Sequence, residues 1–234
     1  MKVLVMGATG GTGRAATAEL LRRGHTVTAF ARNAGKLRQG ADLSGELDRE
    51  LFTIDGDAAD QQVVDAAVAG QDAVVVALGI SENAAWVRLR GPAHTGPDVR
   101  SRGTHNVVTA MQRHGVNRLV VLSVFGIGAT AGRLRLLDKL FCWLLINQQV
   151  ADHVEQERAV RASGLDWTIV QPVHLSDDPA GEAFVSATGE VAINKVTRTS
   201  VARVLADTVD QPDFVGTSIA VSGAAAVRTP VSVG

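Results

Sequence analysis

The chain has 234 residues, of which 46% are hydrophobic and 20% charged, and its formal net charge is −1. This composition is ordinary for a globular protein and offers no electrostatic footprint for nucleic acid. A single cysteine, Cys142, excludes an intramolecular disulfide. The apolar run from Leu140 to Ile146 is much shorter than the roughly 20 residues of a membrane span, and it fits a packed helix, a lid or a dimer surface.

A glycine-rich turn joins the first predicted strand, Lys2 to Met6, to a helix predicted from Arg14 to Leu21. Three glycines in such a turn allow a sharp bend, a close approach to phosphates and tight helix–strand packing, while the helix N-terminus attracts a diphosphate. The spacing predicts a dinucleotide site, and the alternative is a turn that only connects the two elements. The residues predicted to bind the cofactor here are Gly7, Thr9, Gly10, Gly11, Thr12, Gly13 and Arg14.

The end of the second predicted strand, His25 to Ala31, indicates which dinucleotide binds. An NAD site usually has an acidic residue there for the ribose 2′-hydroxyl, whereas this strand continues into Arg32. An arginine can pair with a 2′-phosphate, and Arg14 and Lys36 are in place to assist. The sequence therefore predicts NADP(H), unless Arg32 is a solvated loop residue.

The third and fourth predicted strands add two more parts of the same site. Asp57 follows Leu51 to Ile54, where its carboxylate would accept a hydrogen bond from the adenine amino group. The alternative is that Asp57 or Asp60 caps the next helix. The fourth strand, Asp72 to Ala77, ends in Leu78 and Gly79, which we expect beside the cofactor ribose.

Strands and helices continue to alternate along the rest of the chain. The remaining predicted elements are a loop over 81–96, a helix over 98–114 ended by Gly115, a strand over 118–122, a mostly helical stretch over 133–162, a strand over 166–171 ended by Pro172, a loop over 176–189, a helix capped by Thr199 or Ser200 and running to Val209, and a strand over 217–221. This alternation predicts an α/β fold, a doubly wound Rossmann-type parallel sheet with helices on both faces. We expect one domain over 1–234, with a small acceptor side formed by about 126–151 and 172–198.

The motif GATGGTG, the pair Gly56-Asp57 and the segment SGLDWTIVQP from Ser163 to Pro172 resemble the atypical short-chain dehydrogenases/reductases. Within the NmrA-like set, the chain is most similar to the biliverdin-IXβ reductase/flavin reductase group, from Met1 to about Gly223. Most short-chain enzymes use a Tyr-xxx-Lys pair as proton donor, and this sequence contains no tyrosine. Alcohol dehydrogenation and sugar epimerisation by that route are therefore excluded.

The resemblance implies that NADPH delivers a hydride to a flat, conjugated acceptor above the nicotinamide. It also implies that Ser123 and Phe125 edge the nicotinamide, that Pro172 lies beneath it, and that His153 and His174 face the acceptor pocket. The segment between Phe125 and Asp152 is longer than in that group, which leaves the identity of the acceptor open.

Of the three candidate catalytic residues, His153 and Ser123 each have an alternative interpretation without a role in catalysis. His174 follows a strand at the carboxyl edge of the sheet, where a pocket is expected. His153 lies in a helical stretch, either in the pocket or facing solvent, and its acidic neighbours are expected to favour its charged form. Ser123 either contacts the cofactor or caps its strand.

These observations predict an NADPH-dependent reductase of flavins, quinones or biliverdin-like molecules. The alternative is a non-catalytic NADP(H)-binding redox sensor of the NmrA type. The six histidines show no metal-ligand spacing, so no metal is expected. We expect a small planar acceptor as partner, no nucleic-acid or membrane partner and a cytoplasmic location, and we leave a homodimer open.

Overall fold

The computed structural model describes residues 1–39, 50–79, 96, 98–133 and 147–225. The strands in these residues are β1 (Lys2–Met6), β2 (Thr26–Ala31), β3 (Leu51–Asp55), β4 (Ala73–Val76), β5 (Arg118–Leu122), β6 (Asp166–Pro172), β7 (Leu175–Ser176), β8 (Ala183–Ser186), β9 (Val196–Thr197) and β10 (Thr217–Gly223). The α-helices are α1 (Gly11–Arg22), α2 (Gln61–Val68), α3 (Val99–His114), α4 (Asn147–Arg161) and α5 (Arg198–Asp210).

Eight of the strands form one sheet in the order β3-β2-β1-β4-β5-β6-β10-β8. All neighbours in this sheet are parallel except β8, which runs antiparallel to β10 at the edge. The short strands β7 and β9 pair in parallel beside it. The predicted doubly wound α/β fold is confirmed.

Both faces of the sheet are buried, which explains why its central strands are mostly apolar. Along β1, Val3 and Val5 pack against α1 and α5, whereas Leu4 and Met6 face the opposite core. Helices α2, α3 and α4 cover that second core. Parallel strands read as continuous apolar runs because helices cover both of their faces.

The order of the strands reverses direction between β1 and β4, because the chain builds outward on one side through β2 and β3 and then crosses to β4. In doubly wound sheets, ligands bind in the crevice at this switch point, at the carboxyl ends of the strands. Gly7 follows β1 and Leu78 follows β4, so the glycine-rich turn lies at this crevice.

Several predicted boundaries are wrong. The predicted loop 176–189 contains a strand, β8, because Ala183–Ser186 pairs with β10. The strand has only four residues, and the glycine and proline residues on either side of it are typical of a loop. The last helix is capped by Thr197, whose side chain accepts a hydrogen bond from the backbone N–H of Ser200. The cap is thus neither Thr199 nor Ser200.

Two further boundaries differ from the sequence prediction. Helix α1 begins at Gly11, three residues before the predicted Arg14, because the second half of the glycine-rich turn is already helical. In the described part of the predicted helical stretch 133–162, an α-helix covers Asn147–Arg161, and Arg133 ends a 3₁₀ turn that begins at Gly128. The apolar run 140–146, the predicted loop 81–95 and the tail from 226 lie outside the described residues.

The contact between the β1–α1 turn and its neighbours predicts a stability difference between two glycine variants. A Cβ at Gly13 would collide with the carbonyl oxygen of Gly7, which is backbone and cannot move aside without shifting α1 from β1. We expect Gly13→Ala to lower the free energy of unfolding by about 1–3 kcal/mol in urea titrations. Gly181→Ala is the control, because a Cβ there meets nothing within 4 Å. Equal stability of the two variants would contradict this account of the packing.

Candidate functional site

A cavity of about 890 Å³ opens at the carboxyl edge of the sheet. A wall residue directly follows each of β1, β2 and β5, another lies at the second position after each of β3 and β4, and Pro172 ends β6. These wall residues are Gly7, Arg32, Asp57, Leu78, Ser123 and Pro172. Six strands therefore contribute to one site.

The cavity brings together almost every residue that the sequence predicted for the site. The predicted residues that line it are Gly7, Thr9, Gly10, Gly11, Thr12, Gly13, Arg32, Asp57, Leu78, Gly79, Ser123, Phe125, His153, Pro172 and His174. Arg14 and Lys36 are the exceptions. Arg14, the fourth residue of α1, is a half-buried part of the helix, Lys36 is exposed on the 3₁₀ turn after β2, and neither lines the cavity.

The glycine-rich turn forms a cradle of backbone groups. Gly7 has a φ of 80°, and a Cβ there would lie 2.5 Å from the carbonyl oxygen of Ala77. Only glycine fits a positive φ together with this close approach. Helix α1 begins at Gly11 without an acidic residue in its first turn, and its first backbone N–H groups have no acceptor within the helix. The cradle therefore fits an anionic diphosphate.

Arg198 extends this cradle, and the sequence analysis missed it. It is the first residue of α5 and lines the cavity. Its side chain lies against the turn so closely that a Cβ at Gly11 would be 2.8 Å from its Cδ and 2.9 Å from its Nε. Its Nη1 also donates to Oδ1 of Asp177 at 2.6 Å. No local motif marks Arg198, because only the packing of α5 on α1 brings it to the turn.

On the side of the cavity formed by the ends of β2 and β3, Arg32 and Asp57 are both exposed at the wall. Asp57 makes a tight turn, with its Oδ1 accepting from the N–H of Ala59 at 2.9 Å. The helix cap is Asp60, whose side chain accepts from the first turn of α2. Asp57 is thus not needed as the cap, and its second carboxylate oxygen is available to a ligand in the cavity.

Ser123 is the most tightly held polar residue of the wall. Its buried hydroxyl donates to Oε1 of Glu157 at 2.7 Å, and Gln171 Nε2 donates to the same oxygen at 2.7 Å. Arg161 Nη2 donates to the other carboxylate oxygen at 2.8 Å. Because Glu157 takes the hydroxyl hydrogen, Ser123 can offer only its oxygen lone pairs to a bound group.

His153 lies in the wall on α4, half-buried, and its imidazole is neutral at physiological pH. Burial, together with the nearby charge of Arg100, lowers its pKa to about 4. Its Nδ1 is 3.3 Å from Oε1 of Gln156, whose amide Nε2 donates to Thr104 at 3.0 Å. Since Gln156 therefore presents an oxygen, the neutral ring carries its proton on Nδ1 and leaves the lone pair on Nε2.

The expectation that acidic neighbours favour charged His153 is wrong, because burial and the charge of Arg100 outweigh the smaller opposite effect of Asp152 on its pKa. The neighbouring carboxylates also have other partners. Asp152 accepts from the backbone N–H groups of Arg100 and Ser101 at 3.1 and 2.9 Å, and thereby caps α3. Glu155 pairs with an exposed arginine of its own helix, and Glu157 holds Ser123. Arg100 itself is buried in the cavity wall, and the sequence analysis missed it.

His174 differs from His153 in being exposed at the rim of the cavity. It lies between β6 and β7, and its carbonyl accepts from the N–H of Val196 at 2.9 Å. Pro172 lies just before it, with its carbonyl accepting from Phe125 at 3.0 Å. The structure thus joins the ends of β5 and β6 at the cavity wall.

Comparisons with known proteins agree with this site. A family model described as NAD(P)H-binding matches residues 7–212. An uncharacterised chloroplastic protein of Arabidopsis thaliana is 32% identical over 182 residues, which cover 76% of this chain and 60% of that protein. A 2-alkyl-3-oxoalkanoate reductase of Stenotrophomonas maltophilia is 37% identical over 123 residues, 53% of this chain and 33% of that protein. The chain therefore spans less than two thirds of either relative's length.

Solved structures with the same fold cover nearly the whole chain. A short-chain dehydrogenase/reductase of Veillonella parvula in complex with NADP has a TM-score of 0.74 at 20% identity, over 94% of both chains. An anaerobilin reductase of Escherichia coli O157:H7 has a TM-score of 0.72 at 21% identity, over 95% of this chain and 97% of that one. These structures confirm a fold shared with short-chain dehydrogenases/reductases, and the matched family model confirms a nicotinamide dinucleotide as cofactor.

The described residues contain neither a membrane-spanning helix nor a cluster of metal ligands. No helix there is both long and apolar enough to cross a membrane. No three histidine, cysteine, aspartate or glutamate side chains come together there as a metal site.

The lowered pKa of His153 predicts an unusual imidazole signal. We expect one histidine to titrate with a midpoint near pH 4 in an NMR titration, because burial and Arg100 oppose its protonation. That signal should be missing from His153→Gln. The unfolded chain takes up the proton near pH 6.5 and the folded chain only near 4, so the free energy of unfolding should rise with pH between these values, and less steeply in the variant. A midpoint for His153 above pH 6 would contradict the proposed environment.

Proposed function

Because the chain belongs to the NAD(P)H-binding family, we propose that it is an NADPH-dependent reductase that transfers a hydride to a planar conjugated acceptor. A flavin, a quinone or a biliverdin-like molecule is the expected class of acceptor. The observation that carries this proposal is that the glycine cradle and the polar residues Ser123, His153 and His174 line the same cavity.

Each part of the cavity suits one part of the dinucleotide. Backbone N–H groups at the start of α1 suit the diphosphate, Arg32 the 2′-phosphate and Asp57 the adenine amino group. The ribose would lie along Leu78 and Gly79. Ser123, Phe125 and Pro172 would frame the nicotinamide, which supplies a hydride when the reduced cofactor is bound.

The polar residues near the acceptor favour a reaction that needs positioning more than proton donation. The sequence contains no tyrosine, the Ser123 hydrogen is held by Glu157, and His153 is neutral at physiological pH. Hydride transfer to a flavin or quinone leaves a delocalised, weakly basic anion, which needs no strong acid beside it and can then be protonated from solvent or by a rim residue such as His174. In this proposal Ser123 and His153 orient the reactants through their lone pairs, and exposed His174 is the candidate proton donor.

The names of similar proteins point the same way. The relative from Stenotrophomonas maltophilia is described as a reductase of oxoalkanoates, and the Escherichia coli protein of the same fold as a reductase of anaerobilin. We propose one domain over 1–234, with acceptor-side parts at about 126–151 and 172–198. We also propose that the protein is cytoplasmic and that its partner is a small molecule. We propose no nucleic-acid or membrane partner, and a homodimer stays an open alternative.

One observation favours a second function. Among the described residues that line the cavity, His153 is neutral and half-buried, and the sequence contains no tyrosine, so these residues offer no strong proton donor beside His153. The same site would serve a non-catalytic redox sensor that binds NADP(H) and turns nothing over.

An acceptor screen separates the two functions. We expect the absorbance of NADPH to fall when FMN, FAD, a quinone or biliverdin is added, with NADPH and enzyme alone as the control. Tight NADPH binding by calorimetry with no turnover of any acceptor would favour the sensor. The absence of binding would contradict both functions.

The choice between the two dinucleotides depends on Arg32. We expect Arg32→Ala to weaken NADPH binding by about 1.5–3 kcal/mol and to leave NADH binding nearly unchanged, because only NADPH has the 2′-phosphate. Calorimetry with both dinucleotides measures the difference. Arg203→Ala is the control, since Arg203 is an exposed arginine of α5 that does not line the cavity. An equal loss for both dinucleotides would contradict the role of Arg32.

A further inference from the structure

We propose that Arg198 binds the dinucleotide's diphosphate and that Asp177 competes for the same guanidinium. In the protein without ligand, the carboxylate of Asp177 then takes the place of a phosphate oxygen. The inference rests on the proposed function, because it concerns the cofactor end of the same cavity. It makes an internal acidic residue a determinant of dinucleotide affinity.

The position of Arg198 is the first argument. Its Cδ and Nε lie within 3 Å of where a Cβ of Gly11 would be, at the first residue of α1. Diphosphates bind at this end of a helix, where backbone N–H groups point outward and the helix dipole is positive. A guanidinium at the same place adds planar donors whose spacing suits phosphate oxygens. Arg198 is also part of the cavity wall.

The present partner of Arg198 is the second argument. Asp177 Oδ1 accepts from Arg198 Nη1 at 2.6 Å, although the Asp177 side chain is 83% exposed. An ion pair with so exposed a carboxylate contributes little to stability, because water solvates the carboxylate equally well when it is released. A diphosphate brings more charge and binds the α1 backbone at the same time. The exchange of Asp177 for the diphosphate is therefore favourable. The net gain in binding free energy is smaller than it would be without Asp177, because the Arg198–Asp177 pair has to break.

The neighbouring acid shows that this arrangement is local to Asp177. Asp178 pairs with Lys195 at 2.5 Å instead, and this hydrogen bond lowers the pKa of Asp178. Neither Asp178 nor Lys195 lines the cavity. Release of Asp177 would thus leave the segment after β7 attached through Asp178. This makes Asp178 a matched control for Asp177.

Binding of both dinucleotides tests the role of Arg198. We expect Arg198→Ala to raise the Kd of NADPH and of NADH alike, by about tenfold or more, because both carry the diphosphate. This differs from Arg32→Ala, which should affect NADPH alone. Arg203→Ala should leave both values unchanged, and Arg198→Lys should restore part of the affinity. Thermal unfolding of each variant establishes that it is folded.

A double-mutant cycle tests the competition. We expect Asp177→Asn to lower the Kd of both dinucleotides about two- to fivefold, and Asp178→Asn to have no effect. In the Arg198→Ala background, Asp177→Asn should produce no gain. An equal gain in both backgrounds would mean a general charge effect and would overturn the competition.

Failure of the inference is distinguishable from failure of the proposed function. If the wild-type protein binds NADPH, and Arg198→Ala binds each dinucleotide as tightly as the wild-type protein does, the inference is overturned and the proposed function stands. If the wild-type protein binds neither dinucleotide, both are overturned.

Discussion

The close contact between the β1–α1 turn and the end of β4 is the constraint on which the site depends. Gly7 has no room for a side chain beside Ala77, and Gly13 has none beside Gly7. These contacts hold the start of α1 against the sheet at the point where the strand order reverses. Every other part of the cavity is placed relative to this turn, because α5 packs on α1 and carries Arg198 to it.

Buried charge organises the opposite end of the cavity. Glu157 is almost fully buried, yet it has three donors, from Ser123, Gln171 and Arg161. Arg100 and Asp152 form a second buried pair between α3 and α4. A buried charge that lost its partner would be strongly destabilising, so both groups fix the side chains around them. Glu157 sets the orientation of Ser123, and burial together with the charge of Arg100 keeps His153 neutral.

The sequence was sufficient for what is local and insufficient for what depends on packing. The glycine-rich turn and the residues at the strand ends are each encoded within a few neighbours of Gly7, Arg32 or Ser123, and the alternation of strands and helices along the chain is visible in the same way. Arg198 and Arg100 reach the cavity from helices far along the chain, and nothing near them in sequence marks this. The charge state of His153 was mispredicted because adjacency in sequence does not determine which partner a carboxylate selects in the fold.

The two ends of the cavity impose different demands on a ligand. The α1 end is rich in donors and positive charge, and it suits the anionic part of any dinucleotide. At the other end, Ser123 and His153 present lone pairs rather than acidic protons. A substrate that must be protonated strongly as it is reduced would gain nothing from these two residues. A conjugated ring that spreads the negative charge over several atoms needs no such help, and hydride transfer to it depends mainly on the distance and orientation that the cavity walls impose.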